Sequence, residues 1–170
     1  MFPTHEFIMT GAVSNEKKAA TTRVLTLTLG KERYALNVMD VREIIRPMDI
    51  SPVPRAPAEF LGVINLRGKI VPVVDLRIKF GLEFTGRTER TCIVVVQTAS
   101  RSGGNKLTGL LVDEVQEVAI LNAGDIEHPP SFGTGIEASY IRGLAKTKEG
   151  VTILLDLDRM LSESKSELSQ

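Results

Sequence analysis

The side chains that could carry out catalysis are two aspartates, Asp75 and Asp156, and two histidines, His5 and His128. Two carboxylates held close together could share acid and base roles in a small hydrolase. Each aspartate, however, stands directly before a short segment where its carboxylate would cap a helix by accepting hydrogen bonds from free backbone N–H groups. The histidines have no neighbouring cysteine or suitably spaced glutamate, so we expect no metal site. We therefore interpret both aspartates as helix caps, with a hydrolase that uses them as the weaker alternative.

The sequence contains no motif for nucleophilic catalysis or phosphate binding. No Gly-x-Ser-x-Gly segment is present for a nucleophilic serine. The glycine-rich segment 102–105 is not followed by Gly-Lys-Ser/Thr, so it predicts a hairpin turn, and segment 132–135 is a bare loop. Cys92 is the single cysteine, which excludes an internal disulfide and predicts a small buried residue on a strand. The sequence thus favours a binding protein without a cofactor over an enzyme.

Composition limits the classes of partner. The 21 basic residues balance 21 acidic ones, tryptophan is absent, and aromatic residues make up only 5% of the chain. These features disfavour nucleic-acid binding, which relies on a basic field and on aromatic stacking. No apolar run approaches the roughly 18 residues that span a bilayer, so we expect no membrane insertion. We also expect no secretory signal, and a cytoplasmic location, because the N-terminus lacks a basic stretch followed by an apolar one.

One long segment occurs twice in altered form. Residues 62–76 and 143–157 each begin with glycine and place an aspartate thirteen residues later, at Asp75 and Asp156. A repeat of this size predicts a duplicated supersecondary unit. Only the first copy carries Asn-Leu-Arg-Gly at its turn, so the asymmetry between the copies is where we expect function to lie.

A shorter repeat supports the duplication, because residues 115–118 repeat residues 41–44 at an offset of 74. Each half predicts about five short strands and one short capped helix, and short strands at this spacing favour small closed barrels. The predicted strands are 23–29, 33–38, 62–66, 70–74, 92–96, 107–112, 141–146 and 151–155, and the predicted helices are 76–80 and 157–161. Each half alone is marginal for independent stability, so we expect the halves to share a packed interface.

Prolines and apolar residues locate the connections between these elements. Four prolines in residues 47–57 predict an extended connection, followed by a helical turn at 58–61. Pro72 is expected at an edge or bulge of its strand. Residues 41–45 fit either a helical turn or a bent strand. The predicted boundaries are a flexible N-terminal tail at 1–20, interlocked halves at about 21–90 and 91–161, and a C-terminal tail at 162–170.

Four separated motifs together resemble the CheW family of coupling proteins in bacterial chemotaxis. They occupy residues 29–45, 62–77, 109–118 and 140–144, and the resemblance covers roughly residues 22–161. It implies a mainly β fold of two intimately packed, five-stranded SH3-like barrels with short helices, from an internal duplication. It also implies a non-enzymatic adaptor.

The resemblance implies a receptor-binding surface, or its support, at five positions. Val41 and Glu43 match the family's Val-x-Glu segment, Gly62 and Arg67 match its Gly-x-x-Asn-Leu-Arg-Gly motif, and Val118 matches the apolar position after the second-half glutamate. We expect the two valines to line a groove between the barrels, and Glu43 and Arg67 to rim it. Plain core packing is the alternative for the valines, and an intramolecular surface ion pair is the alternative for the charged residues.

The partners that the resemblance implies are the regulatory domain of the histidine kinase CheA and the cytoplasmic tips of methyl-accepting chemoreceptors. The protein would then be recruited to receptor arrays at the inner face of the membrane, without nucleic acid, metal or cofactor. An adaptor of the same family serving another sensory pathway, such as twitching or gliding motility, is the alternative.

Overall fold

The computed structural model describes residues 20–83, 86–100, 102–128 and 138–168. The predicted N-terminal tail, including His5, lies outside the described residues apart from Ala20, and segment 132–135 also lies outside them. The strands are β1 (Thr21–Leu29), β2 (Glu32–Asn37), β3 (Val41–Ile45), β4 (Phe60–Leu66), β5 (Lys69–Asp75), β6 (Cys92–Ala99), β7 (Asn105–Val112), β8 (Glu114–Asn122), β9 (Ile126–Glu127), β10 (Ile141–Thr147) and β11 (Gly150–Leu155). The helices are α1 (Leu76–Lys79) and α2 (Leu157–Leu168), with 3-10 turns at Val38–Asp40, Ala123–Asp125 and Ala138–Tyr140.

The described strands form two sheets, which confirms the predicted mainly β fold. The first sheet has the order β8-β1-β2-β11-β10-β9, and the second has the order β3-β6-β7-β5-β4. The edges of the second sheet meet because the chain leaving β3 pairs at Ser51 with Val63 of β4. The edges of the first sheet are joined by the short turn Ala123–Asp125 between β8 and β9. We call the first closed sheet barrel A and the second barrel B.

Neither barrel corresponds to one half of the sequence. Hairpin β1–β2 lies in barrel A with the strands of the second half, and hairpin β6–β7 lies in barrel B with β3, β4 and β5. Parallel pairing makes both exchanges: β2 pairs with β11, and β7 pairs with β5. Periodicity along the chain finds the repeat but carries no signal for this exchange of hairpins.

Buried apolar side chains form three clusters, one inside each barrel and a larger one between them. On β6, Ile93 and Val95 face the interior of barrel B, whereas Val94 and Val96 belong to the central cluster. Both faces of this strand are therefore buried, which explains its continuous apolar run. The central cluster is the packed interface that the marginal size of each half predicts.

Two details of the sequence prediction are wrong at the start of barrel B. Pro72 lies on an interior strand, because β5 pairs with β4 on one side and β7 on the other. Val63, its partner on β4, directs its own N–H and C=O to Ser51, and the pairing with β7 starts only at Val73. The missing N–H of proline therefore costs no ladder bond. The predicted helical turn at 58–61 is a tight turn that ends at Phe60, where β4 begins.

The ambiguous segment after the first 3-10 turn is a strand, β3, and it is bent by a bulge. At the other end of the chain, α2 continues to Leu168, through residues that the sequence predicted as a polar tail. Cys92 begins β6 and is half-buried, and this burial raises the pKa of its thiol.

The described strands change sheet at only two points, at Val38–Asp40 between β2 and β3 and at Asp113 between β7 and β8.

Candidate functional site

A bulge in β3 sends the side chains of Val41 and Glu43 to opposite faces of the strand. Val41 pairs with Val96 and packs against the central cluster, whereas Glu43 pairs with Val95, which faces the interior of barrel B. The extra residue between them is Arg42, whose Nε donates to Oε1 of Gln97 at 2.8 Å. Without the bulge, residues two apart would share one face. The bulge therefore lets one short strand serve both the barrel interface and the end of barrel B.

Arg67 lies in the two-residue turn between β4 and β5. Its φ is 51° and that of Gly68 is 89°, as in the hairpin turns that match the twist of paired strands. Glycine or asparagine normally occupies such positions, so arginine here holds a costly backbone conformation. Asn65 supports the turn, because its Oδ1 accepts from the N–H of Gly68 at 2.8 Å. The turn places the guanidinium of Arg67 at the end of barrel B.

Glu43 and Arg67 form an ion pair across this end of the barrel. Nη2 of Arg67 donates to Oε2 of Glu43, and this hydrogen bond raises the pKa of the guanidinium. The Arg67 side chain is nevertheless 71% exposed, against 28% for Glu43. The predicted intramolecular pair is thus present, and it leaves most of Arg67 accessible to a partner.

The pair stands over a shallow cavity of about 430 Å³, which we call the mouth of barrel B. Its floor is apolar, and its rim is polar and mostly charged. The floor contains Leu66, Val95 and Leu107, and the rim contains Arg42, Glu43, Arg67, Lys69 and Gln97. Three of the rim side chains are cationic and one is anionic, so the mouth suits a partner that brings an acidic group together with apolar side chains.

Gly62 supports this site through the closure of barrel B. Its φ is 141°, and a Cβ atom there would lie 2.2 Å from the carbonyl oxygen of Ser51. That carbonyl accepts from the N–H of Val63 at 2.9 Å in the bridge that closes barrel B. Gly143 takes the same place in barrel A, where a Cβ would lie 2.4 Å from Cγ2 of Ile126 on β9. The glycine that opens each copy of the repeat is therefore needed for barrel closure.

Val118 lies on the other barrel. It pairs with Leu25 on β1 and is 53% exposed, next to Ile120, which is 64% exposed on the same face of β8. Leu25 belongs to the central cluster between the barrels. The exposed face of β8 that carries Val118 therefore lies at the solvent-facing edge of that interface. Val118 is therefore not a core residue, and it does not line the mouth of barrel B.

Sequence reasoning missed Ile44, although the repeat contained the signal for it. The offset of 74 makes Ile44 the equivalent of Val118, and both strands carry a bulge at the matching position. Ile44 pairs with Val94 of the central cluster and is 45% exposed. Both edge strands thus present exposed aliphatic side chains beside the junction of the barrels, Ile44 on β3 and Val118 with Ile120 on β8.

The aspartates of the repeat act as helix caps. Oδ1 of Asp75 accepts from the N–H of Arg77 at 2.9 Å, and Oδ1 of Asp156 accepts from the N–H of Arg159 at 3.2 Å. Asp75 is buried in an ion pair with the side chain of Arg77. The described residues include no group of three histidine, cysteine or acidic side chains placed to hold a metal ion.

Comparison with known proteins places these features in one family. The family model described as CheW-like domain matches residues 23–165. The chain is 32% identical over 163 residues to the chemotaxis protein CheW of Klebsiella aerogenes, covering 94% of this chain and 95% of that protein. It is 33% identical over 144 residues to the chemotaxis protein CheW of Rhizobium meliloti, covering 85% and 90%.

A solved structure gives the same result. The crystal structure of scaffolding protein TtCheW from Thermoanaerobacter tengcongensis superposes with a TM-score of 0.73 at 33% identity, covering 81% of this chain and 86% of that one. The matched region contains both barrels and all five residues of the predicted receptor surface. With the duplicated barrels, the paired Glu43 and Arg67 and the two closing glycines, these matches show that the chain belongs to the CheW-like domain family.

Proposed function

We propose that this chain couples the cytoplasmic tips of chemoreceptors to the regulatory domain of the histidine kinase CheA. Membership of the CheW-like family confirms the expected class, a non-enzymatic chemotaxis adaptor. The observation that carries the more specific proposal is the ion pair of Glu43 and Arg67, which holds an exposed guanidinium over an apolar cavity. Such a site can recognise a partner but contains no group placed to transform it.

The receptor surface in this proposal combines the mouth of barrel B with the junction between the barrels. Ile44 and Val118 supply exposed apolar area on the two edge strands, and Val41 anchors β3 to the central cluster. A receptor tip is a helical hairpin, so it would lay an apolar stripe along this junction. Burying one aliphatic side chain contributes about 1.5–3 kcal/mol, so a few such contacts support binding without a deep pocket.

The charged pair supplies orientation in this scheme. Arginine binds carboxylates in a planar, two-pronged geometry, and Glu43 holds the guanidinium so that it loses little freedom when a partner binds. Gly62 contributes indirectly, because the closed barrel positions both strands that carry the pair. A change at Gly62 would therefore reduce receptor binding through the shape of barrel B.

The kinase surface in this proposal lies at the exposed starts of β5 and β11, one in each barrel. Ile70 on β5 and Val151 on β11 are equivalent in the repeat and are 66% and 56% exposed. Because these two side chains occupy matching places in the repeat, a partner that is itself a double barrel could use one contact pattern on both. Neither residue lines the mouth of barrel B, so kinase and receptor could bind at the same time.

The proposed location follows from these partners. The described part of the chain has no helix long and apolar enough to cross a membrane. Contact with receptor tips and kinase would recruit the protein to arrays at the inner, cytoplasmic face of the membrane.

The test is a titration of a receptor-tip fragment against the whole chain and against Arg67→Ala. We expect affinity to fall about tenfold or more, as for an arginine central to an interface. The thermal midpoint and the affinity for the kinase regulatory domain should stay unchanged, because the side chain is mostly exposed. Glu43→Gln should weaken receptor binding in the same direction by releasing the guanidinium.

The matched control is Lys148→Ala. Lys148 is the repeat equivalent of Arg67 in the exposed turn between β10 and β11. We expect that variant to bind the receptor fragment like the parent chain. Equal losses for the two variants would indicate a general charge effect, and an unchanged affinity for Arg67→Ala would refute the assigned surface.

A further inference from the structure

The two points at which the chain passes between the barrels are built differently. At one point Asp113 separates β7 of barrel B from β8 of barrel A, and at the other the turn Val38–Asp40 separates β2 from β3. In the repeat, Asp113 corresponds to Met39, and Arg77 corresponds to Asp158. The two crossings therefore began as equivalent structures and now carry unlike side chains.

A buried guanidinium organises the crossing at Asp113. Arg77 is 1% exposed, and its Nη1 donates to Oδ1 of Asp113 at 3.0 Å and to the carbonyl oxygen of Gly86 at 2.9 Å. Its Nη2 and Nε donate to the two carboxylate oxygens of Asp75 at 3.2 and 3.3 Å. A buried charge persists only when its partners satisfy it, so these bonds hold α1, the following segment and the crossing in one arrangement.

The second oxygen of Asp113 continues this network into barrel A. Oδ2 accepts from the backbone N–H of Gly30, in the turn between β1 and β2, at 2.7 Å. One carboxylate thus binds the buried arginine of barrel B and a hairpin turn of barrel A. We call Arg77, Asp113 and Gly30 the clamp.

The equivalent positions at the other crossing form no clamp. The side chain of Met39 is 77% exposed, and Asp158 is exposed on α2. The charges around the carboxyl group of Asp40 are mixed there: those of Asp158 and Asp156 raise its pKa, and those of Arg142 and Arg42 lower it. This crossing leads directly into Val41 and Glu43, the first residues of the receptor surface.

We propose that Asp113 is a positioning residue that fixes the angle between the barrels at the crossing between β7 and β8. Any change of this angle would then widen or narrow the space between the barrels at the other crossing, beside Val41 and Glu43. The inference rests on the proposed receptor surface for its functional part. Its structural part, that the clamp holds the two barrels at a fixed angle, depends only on the contacts of Asp113. Asp113 lies away from the mouth of barrel B and would act on receptor binding only through the orientation of the barrels.

The decisive variant is Asp113→Asn. Its side-chain oxygen can still accept from Arg77, so the buried guanidinium keeps its partners and the protein should fold. Its amide group donates and cannot accept from the N–H of Gly30, so the link to barrel A is cut. Spin labels are attached at Ile70→Cys in barrel B and at Val151→Cys in barrel A, in a Cys92→Ala background. Pulsed electron paramagnetic resonance then measures the distance between the two labels. Both label positions are exposed and lie on strands.

We expect the distance distribution to broaden in Asp113→Asn, while circular dichroism stays that of the parent chain. Affinity for the receptor-tip fragment should fall about threefold to tenfold, the size of effect seen when residues that touch no ligand are changed. Asp158→Asn, at the equivalent crossing, is the matched control and should leave the distance distribution as it is.

An unchanged distribution in Asp113→Asn would overturn the clamp. A broadened distribution with unchanged receptor affinity would overturn the positioning role. If the parent chain itself failed to bind the receptor fragment, the proposed function would fall, while the distance measurement would still decide whether the clamp holds the barrels.

Discussion

The two barrel mouths share a backbone and differ in what lies on their floors. In barrel B the floor contains Val95 and Leu107, and the equivalent positions in barrel A are Thr26 and Arg33. The strand pairings establish the equivalence, because Val73 pairs with Gly109 as Leu154 pairs with Ala35. One copy of the repeat thus has an apolar cavity under a charged rim, and the other has polar and charged side chains inside the barrel.

The charged pairs at the two mouths are also arranged in opposite ways. In barrel B the arginine lies in the turn and the glutamate lies on a strand. In barrel A the glutamate, Glu149, lies in the turn and Arg33 lies on β2, with Nη2 3.9 Å from Oε1 of Glu149. Arg33 is mostly buried, and among the described residues its Nε has no hydrogen-bond partner. The two copies of the repeat therefore form similar frameworks, and the exposed cation over an apolar floor is the difference on which the proposed receptor surface depends.

The largest effect should come from filling the space at the glycines that close the barrels. Gly62→Ala places a Cβ against the Ser51 carbonyl at a positive φ, so we expect the free energy of unfolding to fall by roughly 2–4 kcal/mol. Gly143→Ala should cost less, because its nearest clash is with the Ile126 side chain, which can move. Urea titration of both variants measures the difference.

Gly81→Ala separates the two causes at Gly62. The φ of Gly81 is 72°, but no atom lies within 4 Å of a Cβ built there. It should therefore show only the backbone cost of about 1 kcal/mol. Equal losses at Gly62 and Gly81 would mean that barrel closure does not depend on the close approach of Ser51.

A smaller effect of opposite sign is expected at the mouth of barrel A. Arg33→Leu replaces an incompletely paired, mostly buried cation by the residue type of the equivalent position in barrel B. We expect the free energy of unfolding to stay the same or rise by about 1–2 kcal/mol, because the desolvated charge is removed. Arg90→Leu, at a 70% exposed arginine paired with Glu114 at 3.6 Å, is the control and should change stability little. A clear loss of stability in Arg33→Leu would show that the stability of the mouth of barrel A depends on the cation of Arg33.

The smallest effect concerns Asp40, the acidic residue directly before β3, whose repeat equivalent is Glu114 at the first position of β8. Burial, followed by the charge of Asp158, raises the pKa of Asp40 above its usual value. A raised pKa means that ionised Asp40 opposes folding, so its contribution is most favourable at low pH and is lost as the pH rises through the folded-state pKa. Asp40→Asn should therefore stabilise the protein at pH 7, and the gain should disappear below about pH 4, where the carboxyl is protonated in both states. Thermal midpoints of both proteins from pH 3 to pH 8 test this, and a gain that persists at pH 3 would contradict it.

Much of the fold could be predicted because the repeat and the turn residues are local signals. The hairpin at 62–75 and the caps at Asp75 and Asp156 follow from glycine, proline and aspartate acting on their own neighbours. The exchange of hairpins between the barrels could not be predicted this way, because parallel pairing between distant strands leaves no local pattern. Pro72 shows the same limit: whether a proline fits an interior strand depends on which backbone groups its neighbours direct away from it.

The site was predictable in part. Glu43 and Arg67 are adjacent in space although 24 residues apart, and the resemblance to a family, not their spacing, brought them together. The bulge at Arg42 and the exposure of Ile44 depend on the register between β3 and β6, which is a tertiary property. The clamp was missed because Arg77 follows a cap and looks like an exposed basic residue on a short helix.

The exchange of hairpins also sets the order in which the protein can fold as it is synthesised. Hairpin β1–β2 is made before the other strands, yet β2 pairs with β11, with Arg33 opposite Thr152, so barrel A cannot close until β11 has emerged. Barrel B has no such delay after β7, because all five of its strands are then present. Barrel B should therefore form first, while the apolar face of β1 stays exposed because barrel A has not yet closed. Since long-range pairing slows folding and prolongs exposure of unpaired strands, the growing chain is most vulnerable to aggregation in the interval between β7 and β11.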